Sequence, residues 1–583
     1  MLKMSPRLLL LGLAVCPSAA CPPRLAGLWG PDPCVFASHM VLASSDAWQA
    51  GSVPARVWGR HAKPHASILL RGLPPGATVA PSNPWTADAQ GNWSIQVGVA
   101  ASLANYTLTF SSSSENGGEE GEEEAVTLTD VLFGHTLLCS GQSNMDMKVG
   151  CAFGSLLSDR NVKDAQAFPE IRYMGNGASG RWASAAGLDY FGAPAVLNMS
   201  ATCYFAAFHL KRDVPAFEHV PIGLVRSSVA AQTIERFLSP AALEAAGVPA
   251  ANATSVGCSG QVAHALYDEL IVPLVPFVFK ALVWYQGEAN VACNWPGSSV
   301  APPWQHDYYQ RLLPALISSW RTLFNVSFTA VVVQLAAYTN PVGNGAALPD
   351  LRAAQQAGAA SQPHTGLAYP IDLGDDIRNR YPNRAGCNEF GGIHPRNKTE
   401  VGRRVALRLA VLEGIAPDSG AADGPIAASF APAADGRGGR ITFSNARSLR
   451  LSPTADCRSI GEIPAPLNAS ASSCCQTTLQ AAGGWEGGGG ANNGSWGFPF
   501  ELQRAASGVY VTARATIIDG ATVTLAPLHQ NATAGDEGPF VGFRMAWSSF
   551  PLCVLTNQNG LPGAPTEMRS TTGSSTADDS SDA

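Results

Sequence analysis

The sequence contains little charge and shows no excess of basic residues. Charged residues make up 14% of its 583 residues, and the formal net charge is −7. A protein that binds nucleic acid needs a basic face for the phosphates, so this balance argues against a nucleic-acid partner. Hydrophobic residues make up 46% of the chain, and the length favours roughly three or four domains.

Two further features are absent from the sequence. Beyond the N-terminus, no apolar run reaches the roughly 18 residues that a transmembrane helix needs, so we expect no integral membrane segment. The thirteen cysteines include no Cys-x-x-Cys pair, and their irregular spacing argues against a zinc site.

Residues 1–20 are typical of a secretory signal peptide. Lys3 and Arg7 precede the apolar run Leu8–Cys16, and the small residues 18–20 form a cleavage site. Removal of this segment leaves twelve cysteines, an even number that can pair in an oxidising compartment with a connectivity the spacing does not determine. Nine Asn-x-Ser/Thr sequons agree with export. We therefore expect a secreted protein, or one in the lysosomal or endomembrane lumen.

The rest of the chain divides into four regions. Residues 21–128 alternate apolar and polar positions between Gly and Pro turns, which predicts an N-terminal β-sandwich-like domain. Residues 129–415 predict an α/β domain, and residues 416–562 return to short strands that predict a C-terminal β domain. Residues 563–583 are rich in Ser, Thr and Asp and predict a disordered tail. The acidic stretch Ser111–Glu124 is expected to form a solvated loop.

Near-continuous apolar runs, separated by long connections, recur within residues 129–415. They are typical of a parallel sheet covered by helices on both faces. Helical spacing over Tyr308–Phe324 and Lys398–Glu413 predicts two of these helices. Ligands of such sheets bind outside the carboxyl ends of the strands, so the residues that follow each run are the candidate site. The runs are Val131–Cys139, Val220–Arg226, Ala281–Tyr285, Phe328–Leu335 and Gly366–Asp372.

Ser143 follows the first run, in the stretch CSGQSNM at Cys139–Met145. A serine at this point can be a nucleophile, which requires a base and donors for an oxyanion. It can also be a helix N-cap, and the stretch taken alone favours that interpretation. The residues after the other runs bear on this choice.

Polar residues follow the third run, and a histidine comes after the last. The Asn290 amide can donate to an oxyanion, or it can satisfy loop backbone groups. His394 is held by Pro395 before an amphipathic helix and suits a general base, although a lone histidine is more often structural. Serine, asparagine and histidine at the strand ends of one sheet together favour a serine-hydrolase site. The candidate substrate contacts are Gln142, Gln286 and Glu288.

The chain resembles sialate O-acetylesterases of the SGNH-hydrolase superfamily. The matching motifs keep the order and spacing of that family and cover roughly residues 35–415. The motifs are Ser38–Leu42, Ala55–Gly59, Cys139–Met145, Ser200–Phe205, Pro221–Ser228, Trp284–Asn290 and Ile393–Lys398.

This resemblance implies an SGNH-type, flavodoxin-like three-layer α/β/α domain with a parallel sheet between two β domains. It implies removal of acetyl groups from sugar hydroxyls, those of sialic acids in particular, through an acetyl-serine intermediate and with no metal or other cofactor. Ser143 matches the nucleophile and His394 matches the base. The matching oxyanion donors are the Asn290 amide and the backbone N–H groups of Ser143 and Ala230.

Two positions depart from the family pattern. The turn after the second run commonly reads Trp-Gly-Gly in relatives, and here residues 229–231 read Val-Ala-Ala. An Asp often stands two or three residues before the catalytic His, where this chain has Gly392 and Gly391. We therefore favour a Ser–His dyad assisted by a backbone carbonyl, since some relatives also lack this Asp. The alternative orienting acids are Asp372, Asp375, Asp376 and Glu389.

The sequence leaves two other functions open. The substrate can be another acetylated polysaccharide, because Arg226, Arg236 and Arg396 fit a structural role as well as they fit a sialate carboxylate. The departures near the base are also compatible with a catalytically weakened homologue that binds glycans through its β domains.

Overall fold

A computed structural model describes most of the chain. The described residues are 30–46, 53–113, 124–152, 158–176, 181–247, 262–292, 306–338, 347–374, 393–416, 420–453, 496–527 and 538–570, apart from residues 33, 61, 82–83, 190–191, 498 and 552. The predicted signal peptide and most of the acidic stretch Ser111–Glu124 lie outside these ranges. No helix among the described residues combines the length and the hydropathy needed to cross a bilayer.

The N-terminal region consists of two β-sheets that share a core. Its strands are β1 (Gly30–Pro31), β2 (Val41–Ala43), β3 (Ala55–Arg60), β4 (Ser67–Arg71), β5 (Thr78–Ala80), β6 (Trp85–Thr86), β7 (Trp93–Gly98) and β8 (Ser102–Ser113). One sheet has the order β1-β3-β7-β5, and in the other β4 pairs with β6 and β8. Trp93, Ile95 and Val97 of β7 are buried while the residues between them are exposed, because alternate side chains of a strand point to opposite faces. Trp93 packs on Phe110 of β8, with ring centroids 5.6 Å apart, and so joins the two sheets.

Strand β9 (Glu124–Gly141) continues from the N-terminal region into the centre of the molecule. Its first part pairs with β8, and residues 132–134 pair with β2. Residues 135–141 pair instead with strands of the central sheet. The buried side chains of both regions form one continuous apolar cluster. The domain boundary predicted between residues 128 and 129 therefore lies inside a strand that serves both regions.

The central region is an α/β unit built on a mixed sheet. Its helices are α1 (Ser143–Asp146), α2 (Ser158–Gln166), α3 (Ala201–Asp213), α4 (Pro240–Ala245), α5 (Glu288–Ala292), α6 (His306–Phe324), α7 (Ala347–Ala360) and α8 (Lys398–Leu412). Its further strands are β10 (Ile171–Met174), β11 (Trp182–Ser184), β12 (Ile222–Ser228), β13 (Ala281–Tyr285), β14 (Thr329–Val333) and β15 (Thr365–Ala368). The strand order is β11-β10-β12-β9-β13-β14-β15, and a disulfide joins Cys139 of β9 to Cys203 of α3.

The strand directions refine the sequence prediction. All neighbours from β10 to β15 run parallel, whereas β11 pairs antiparallel with β10 at the edge. The α/β architecture with flanking β domains is confirmed, and the predicted parallel sheet is corrected to a mixed one. The sequence prediction missed β10 and β11 because a strand of three or four residues is too short to stand out as an apolar run.

Neighbouring residues of β13 show that helices cover both faces of the sheet. Trp284 packs against Trp320 of α6, with ring centroids 6.0 Å apart. Tyr285 points to the opposite face, where the ammonium of Lys398 lies 5.2 Å from its ring centroid. Because Lys398 is the first residue of α8 and α8 packs against α3, this second face carries α3 and α8.

The C-terminal region is an antiparallel β unit with its own core. Its strands are β16 (Ile426–Pro432), β17 (Gly439–Ser444), β18 (Arg450–Pro453), β19 (Trp496–Gly497), β20 (Phe500–Arg504), β21 (Tyr510–Ile517), β22 (Thr522–Pro527), β23 (Phe540–Met545), β24 (Phe550–Pro551), β25 (Cys553–Thr556) and β26 (Thr566–Arg569). The main sheet has the order β16-β17-β22-β21-β20-β23-β26. β26 pairs with β23, so a strand lies near the start of the region from residue 563 that the sequence predicts to be disordered.

Arg352 of α7 joins the central and C-terminal regions. Its side chain is fully buried, and burial lowers the pKa of the guanidinium to about 9. The hydrogen-bond acceptors are the carbonyl oxygens of Leu335 (2.8 Å), Ala336 (2.6 Å), Ser548 (2.7 Å) and Ser549 (3.0 Å). These dipoles offset the cost of burying the charge, because they replace the water that the cation loses.

We expect Arg352→Met to lower the free energy of unfolding by about 3 kcal/mol, because four carbonyl groups lose their buried donor. Urea denaturation measures the change. Arg437 lies exposed in a turn of the same chain, and Arg437→Met should change stability by less than about 0.5 kcal/mol. Equal stability of the two variants would contradict this role of Arg352.

Candidate active site

Three strand ends meet at one edge of the central sheet. Gly141, the last residue of β9, pairs with Ser228 at the end of β12 and with Tyr285 at the end of β13. The chain places β10 and β12 on one side of β9 and then continues to β13, β14 and β15 on the other. The place where the chain changes from one side of β9 to the other is a topological switch point. Loops that leave it diverge and open a crevice, which is where ligands bind in open α/β sheets.

Ser143 emerges from this edge through a tight turn. Gly141 has φ 139°, and a Cβ on it would lie 2.1 Å from the carbonyl oxygen of Tyr285, so only glycine fits. The N-cap of α1 is Gln142, and Ser143 is the first helical residue. The structure thus decides against the N-cap interpretation of Ser143. The backbone N–H of a first helical residue has no acceptor within the helix and can serve a ligand.

His394 reaches Ser143 from the segment that precedes α8. Its Nε2 lies 2.7 Å from the Ser143 Oγ, although the two residues are 251 positions apart. Ser143 is buried and His394 half-buried. A neutral imidazole that carries its proton on Nδ1 accepts the serine hydroxyl proton at Nε2, which is the arrangement of a general base and its nucleophile.

The side chain of Asn144 links the nucleophile turn to the histidine segment. Its Nδ2 donates to the Glu288 carboxylate and, at 3.0 Å, to the Ile393 carbonyl oxygen. Its Oδ1 accepts at 2.5 Å from the Lys398 ammonium, which also donates at 2.8 Å to the Pro395 carbonyl oxygen. Asn144 and Lys398 are fully buried. One amide therefore connects α1, the start of α5 and the start of α8.

Glu288 adds a negative charge to this buried network. Burial raises the pKa of its carboxyl, while the Asn144 hydrogen bond and the Lys398 charge act in the opposite direction. The Asn144 amide thus lies between a carboxylate on its nitrogen side and an ammonium on its oxygen side. Because an ammonium can only donate, the orientation of this amide is determined by its partners.

Asn290, the predicted oxyanion donor, is half-buried and held from both ends. Its Nδ2 donates to the buried carboxylate of Glu235 at 3.2 and 3.3 Å. Its Oδ1 accepts from the Ile234 backbone N–H at 3.1 Å and from Gln286 Nε2 at 2.7 Å. Burial raises the pKa of Glu235, and the Asn290 hydrogen bond opposes that rise. An amide nitrogen carries two hydrogens, so one of them can donate to Glu235 while the other can donate to a ligand.

The predicted substrate contacts lie in the interior. Gln286 is fully buried, and its amide bonds to the Gln232 carbonyl oxygen at 2.9 Å and to the Tyr309 hydroxyl at 2.9 Å. Gln142 is buried as well, and its Oε1 accepts from Gln286 and from the Ala289 backbone N–H. With Glu288, these residues support the turns that carry the reactive groups.

The turn after β12 contacts the end of β9. The Val229 backbone N–H donates at 3.2 Å to the Gly141 carbonyl oxygen, and Ala230 follows as an exposed residue. Ala231 has φ 58°, a conformation that costs a non-glycine residue roughly 1 kcal/mol. A glycine at this position would avoid this cost.

Asp372, one of the candidate orienting acids, is bound by Arg404 of α8. Each carboxylate oxygen accepts from one guanidinium nitrogen, and the Arg404 Nη2–Asp372 Oδ2 distance is 2.7 Å. We therefore assign Asp372 to an ion pair that anchors α8. Asp375, another of the candidate acids, lies outside the described residues, as do Asp376, Glu389, Gly391 and Gly392.

Two of the candidate sialate-binding arginines have partners within the protein. Arg226 forms an ion pair with Asp146 of α1. Arg236 donates to the Gln232 side chain and, at 3.2 Å, to the Val262 carbonyl oxygen. Their charges are therefore partly satisfied before any ligand binds.

Sequence reasoning assigned no role to three residues of this site: Asn144, Lys398 and Glu235. The first two lie within matched motifs, directly after the serine and four residues after the histidine, so the motifs contained a signal. Glu235 lies beyond the last matched residue of its motif, and only the fold reveals its contact with Asn290.

The chain was compared with known proteins and solved structures. No protein-family model matches the chain. A sialate O-acetylesterase from Homo sapiens is 30% identical over 310 residues, which are 48% of this chain and 54% of the relative. One from Pongo abelii is 29% identical over 315 residues, with the same two shares. The chain thus matches about half the length of these relatives, and the resemblance that the motifs indicated is confirmed.

A solved structure shares the fold. A carbohydrate acetylesterase from Xanthomonas citri superposes with a TM-score of 0.62 and 23% sequence identity, and the match covers 93% of this chain and 99% of that one. At this identity the likeness concerns the fold, which includes the flanking β regions because the match covers nearly the whole chain.

We expect a serine-reactive phosphonate to label this protein at Ser143, because His394 increases the nucleophilicity of the hydroxyl. His394→Gln should slow labelling by at least about a hundredfold. His364 is an exposed histidine elsewhere in the chain, and His364→Gln should label at the original rate. Mass spectrometry locates the adduct. Labelling of another serine, or an undiminished rate in His394→Gln, would contradict the pairing.

Proposed function

We propose that this protein is a serine hydrolase that removes O-acetyl groups from sugar hydroxyls, in the manner of a sialate O-acetylesterase. The 2.7 Å contact between Ser143 Oγ and His394 Nε2, at the switch point of the sheet, carries the proposal. The curated relatives are sialate O-acetylesterases, and the solved structure with the same fold is a carbohydrate acetylesterase.

The reaction proceeds in two acyl-transfer steps. His394 accepts the proton of Ser143 while the Oγ attacks the acetyl carbonyl carbon. The tetrahedral intermediate then expels the sugar oxygen, which takes the proton from His394, and an acetyl-serine remains. In the second step His394 removes a proton from water, the hydroxide attacks the acetyl carbon, and Ser143 leaves with the proton as acetate is released.

Negative charge develops on the acetyl oxygen in both steps. The donors in this proposal are the Asn290 amide and the backbone N–H groups of Ser143 and Ala230. Glu235 accepts one hydrogen of the Asn290 amide, which directs the other hydrogen away from that carboxylate. A donor in this position typically lowers the barrier by about 3 kcal/mol, since it is oriented before charge develops.

The arginine contacts favour a second candidate, an acetylesterase that acts on uncharged polysaccharides. A sialate carries a carboxylate, and a site that selects it needs a cation able to pair with that group. Arg226 already pairs with Asp146, and Arg236 with Gln232. Their engagement supports a neutral acetylated sugar as the substrate.

Ser143→Ala should abolish acetate release from acetylated sugars, because no acetyl-enzyme can form. A panel of 9-O-acetyl sialate and acetylated xylan, assayed by released acetate, tests the substrate class with this variant as the blank. Faster turnover of the sialate favours the sialate esterase, and faster turnover of xylan favours the second candidate. Activity retained in Ser143→Ala would overturn the mechanism.

Asn290→Ala should lower kcat about a hundredfold and change KM little, because the amide contacts the oxyanion mainly in the transition state. Steady-state kinetics on a chromogenic acetyl ester separate the two parameters. Asn325 follows α6 at the far end of β14, and Asn325→Ala serves as the control. A raised KM with unchanged kcat would show that Asn290 binds the ground state instead.

A further inference from the structure

We infer that Asn144, Glu288 and Lys398 hold His394 at hydrogen-bonding distance from Ser143. We call these three residues the positioning triad. The inference deepens the proposed function and rests on it, because it concerns the same nucleophile and base. In this role the three residues position His394 and do not contact the reacting atoms themselves.

The triad holds the peptide groups on both sides of His394. Asn144 Nδ2 donates to the carbonyl oxygen of Ile393, the residue before the histidine, at 3.0 Å. Lys398 Nζ donates to the carbonyl oxygen of Pro395, the residue after it, at 2.8 Å. Lys398 Nζ also donates to Asn144 Oδ1 at 2.5 Å, so both contacts lead to the residue that directly follows Ser143.

The triad itself is anchored to rigid elements. The Asn144 carbonyl oxygen accepts from the Thr202 hydroxyl of α3 at 3.1 Å, and Lys398 is the first residue of α8. Glu288 begins α5 directly after β13. A shift of the histidine segment would therefore break its hydrogen bonds to Asn144 of α1 and to Lys398 of α8.

Burial makes these contacts strong and selective. Asn144 and Lys398 are fully buried, and Glu288 is 6% exposed. Water cannot replace a lost partner there, so an unmade hydrogen bond carries its full desolvation cost. The charges of Glu288 and Lys398 lie at opposite ends of the Asn144 amide dipole, so rotation of the amide is opposed by both.

The triad acts through His394, and this distinguishes it from a purely stabilising network. A misplacement of about 1 Å between a base and its nucleophile can cost about a hundredfold in rate. Loss of the triad should therefore slow the reaction only when His394 itself is the base. A base that diffuses into the site from solution is not held by Ile393 and Pro395 and should not sense the triad.

The experiment is a double-mutant cycle read by the rate of phosphonate labelling at Ser143. Lys398→Met removes the ammonium at nearly constant length, and His394→Ala is assayed with added imidazole as the replacement base. We expect Lys398→Met to slow labelling about a hundredfold when His394 is present, and less than about threefold in the His394→Ala background. A KM for a chromogenic ester within about threefold of the original should accompany the loss of kcat.

A second variant background, Asn290→Ala, tests whether the cycle recognises residues that act independently of each other. Asn290 does not orient His394, so Lys398→Met should cause the same fold loss of kcat in Asn290→Ala as in the original protein. An equal fold loss of labelling with and without His394 would overturn the inference, because it indicates a general effect on the fold. Undiminished labelling in Lys398→Met would overturn it as well.

A gentler variant covers the case in which Lys398→Met does not fold. Glu288→Gln keeps an acceptor for Asn144 and removes only the charge, and thermal denaturation verifies its fold. We expect Glu288→Gln to slow labelling roughly threefold to tenfold when His394 is present, and to have no such effect in the His394→Ala background. Equal slowing in both backgrounds, or no slowing in either, would reject the triad.

The labelling reaction does not require a sugar substrate. A protein that labels normally but releases no acetate would therefore contradict the proposed function, while the double-mutant cycle could still be interpreted.

Discussion

The hydrogen bonds of the Asn144 amide are the contacts on which the site depends. Ser143 belongs to a turn after β9, His394 belongs to the segment before α8, and the chain between them exceeds two hundred residues. The Asn144 amide joins these two segments, because Asn144 follows the serine in sequence and is hydrogen-bonded to the histidine segment. The buried ammonium and carboxylate on either side determine its orientation. Ser143 and the segment of His394 are thus held by polar contacts in a largely apolar interior.

Much of the site could be predicted from the sequence, and the reason lies in the sheet. Near-continuous apolar runs identify the strands on either side of β9, and the ends of neighbouring parallel strands meet at one edge. Ser143 and Asn290 follow two of these strands, and His394 precedes the amphipathic helix α8. The flanking β regions were predicted from their period-two alternation and frequent turns. These features are local patterns, and a single sequence contains them in full.

Side-chain partners were not predictable in the same way. Asn290 was expected to face a substrate, and the structure adds a carboxylate, Glu235, that accepts from it. Gln286 was expected near the substrate and is fully buried. An amide or a carboxylate accepts many partners, so its choice depends on the register of strands far apart in the chain. For the same reason the change of partners within β9 was not foreseen, since no local signal marks where one strand changes partners.

The long strand β9 also determines the order in which the protein can assemble on the ribosome. Its partners β2 and β8 are made before it, whereas β12 and β13 begin only at Ile222 and Ala281. The half of β9 that leads to Ser143 is therefore synthesised with no partner on either side, and it presents open strand edges until those later segments emerge. This half of β9 is therefore exposed to aggregation until β12 and β13 have been synthesised. Its vulnerability in a nascent chain depends on distance along the sequence, and the stability of the finished fold does not reduce it.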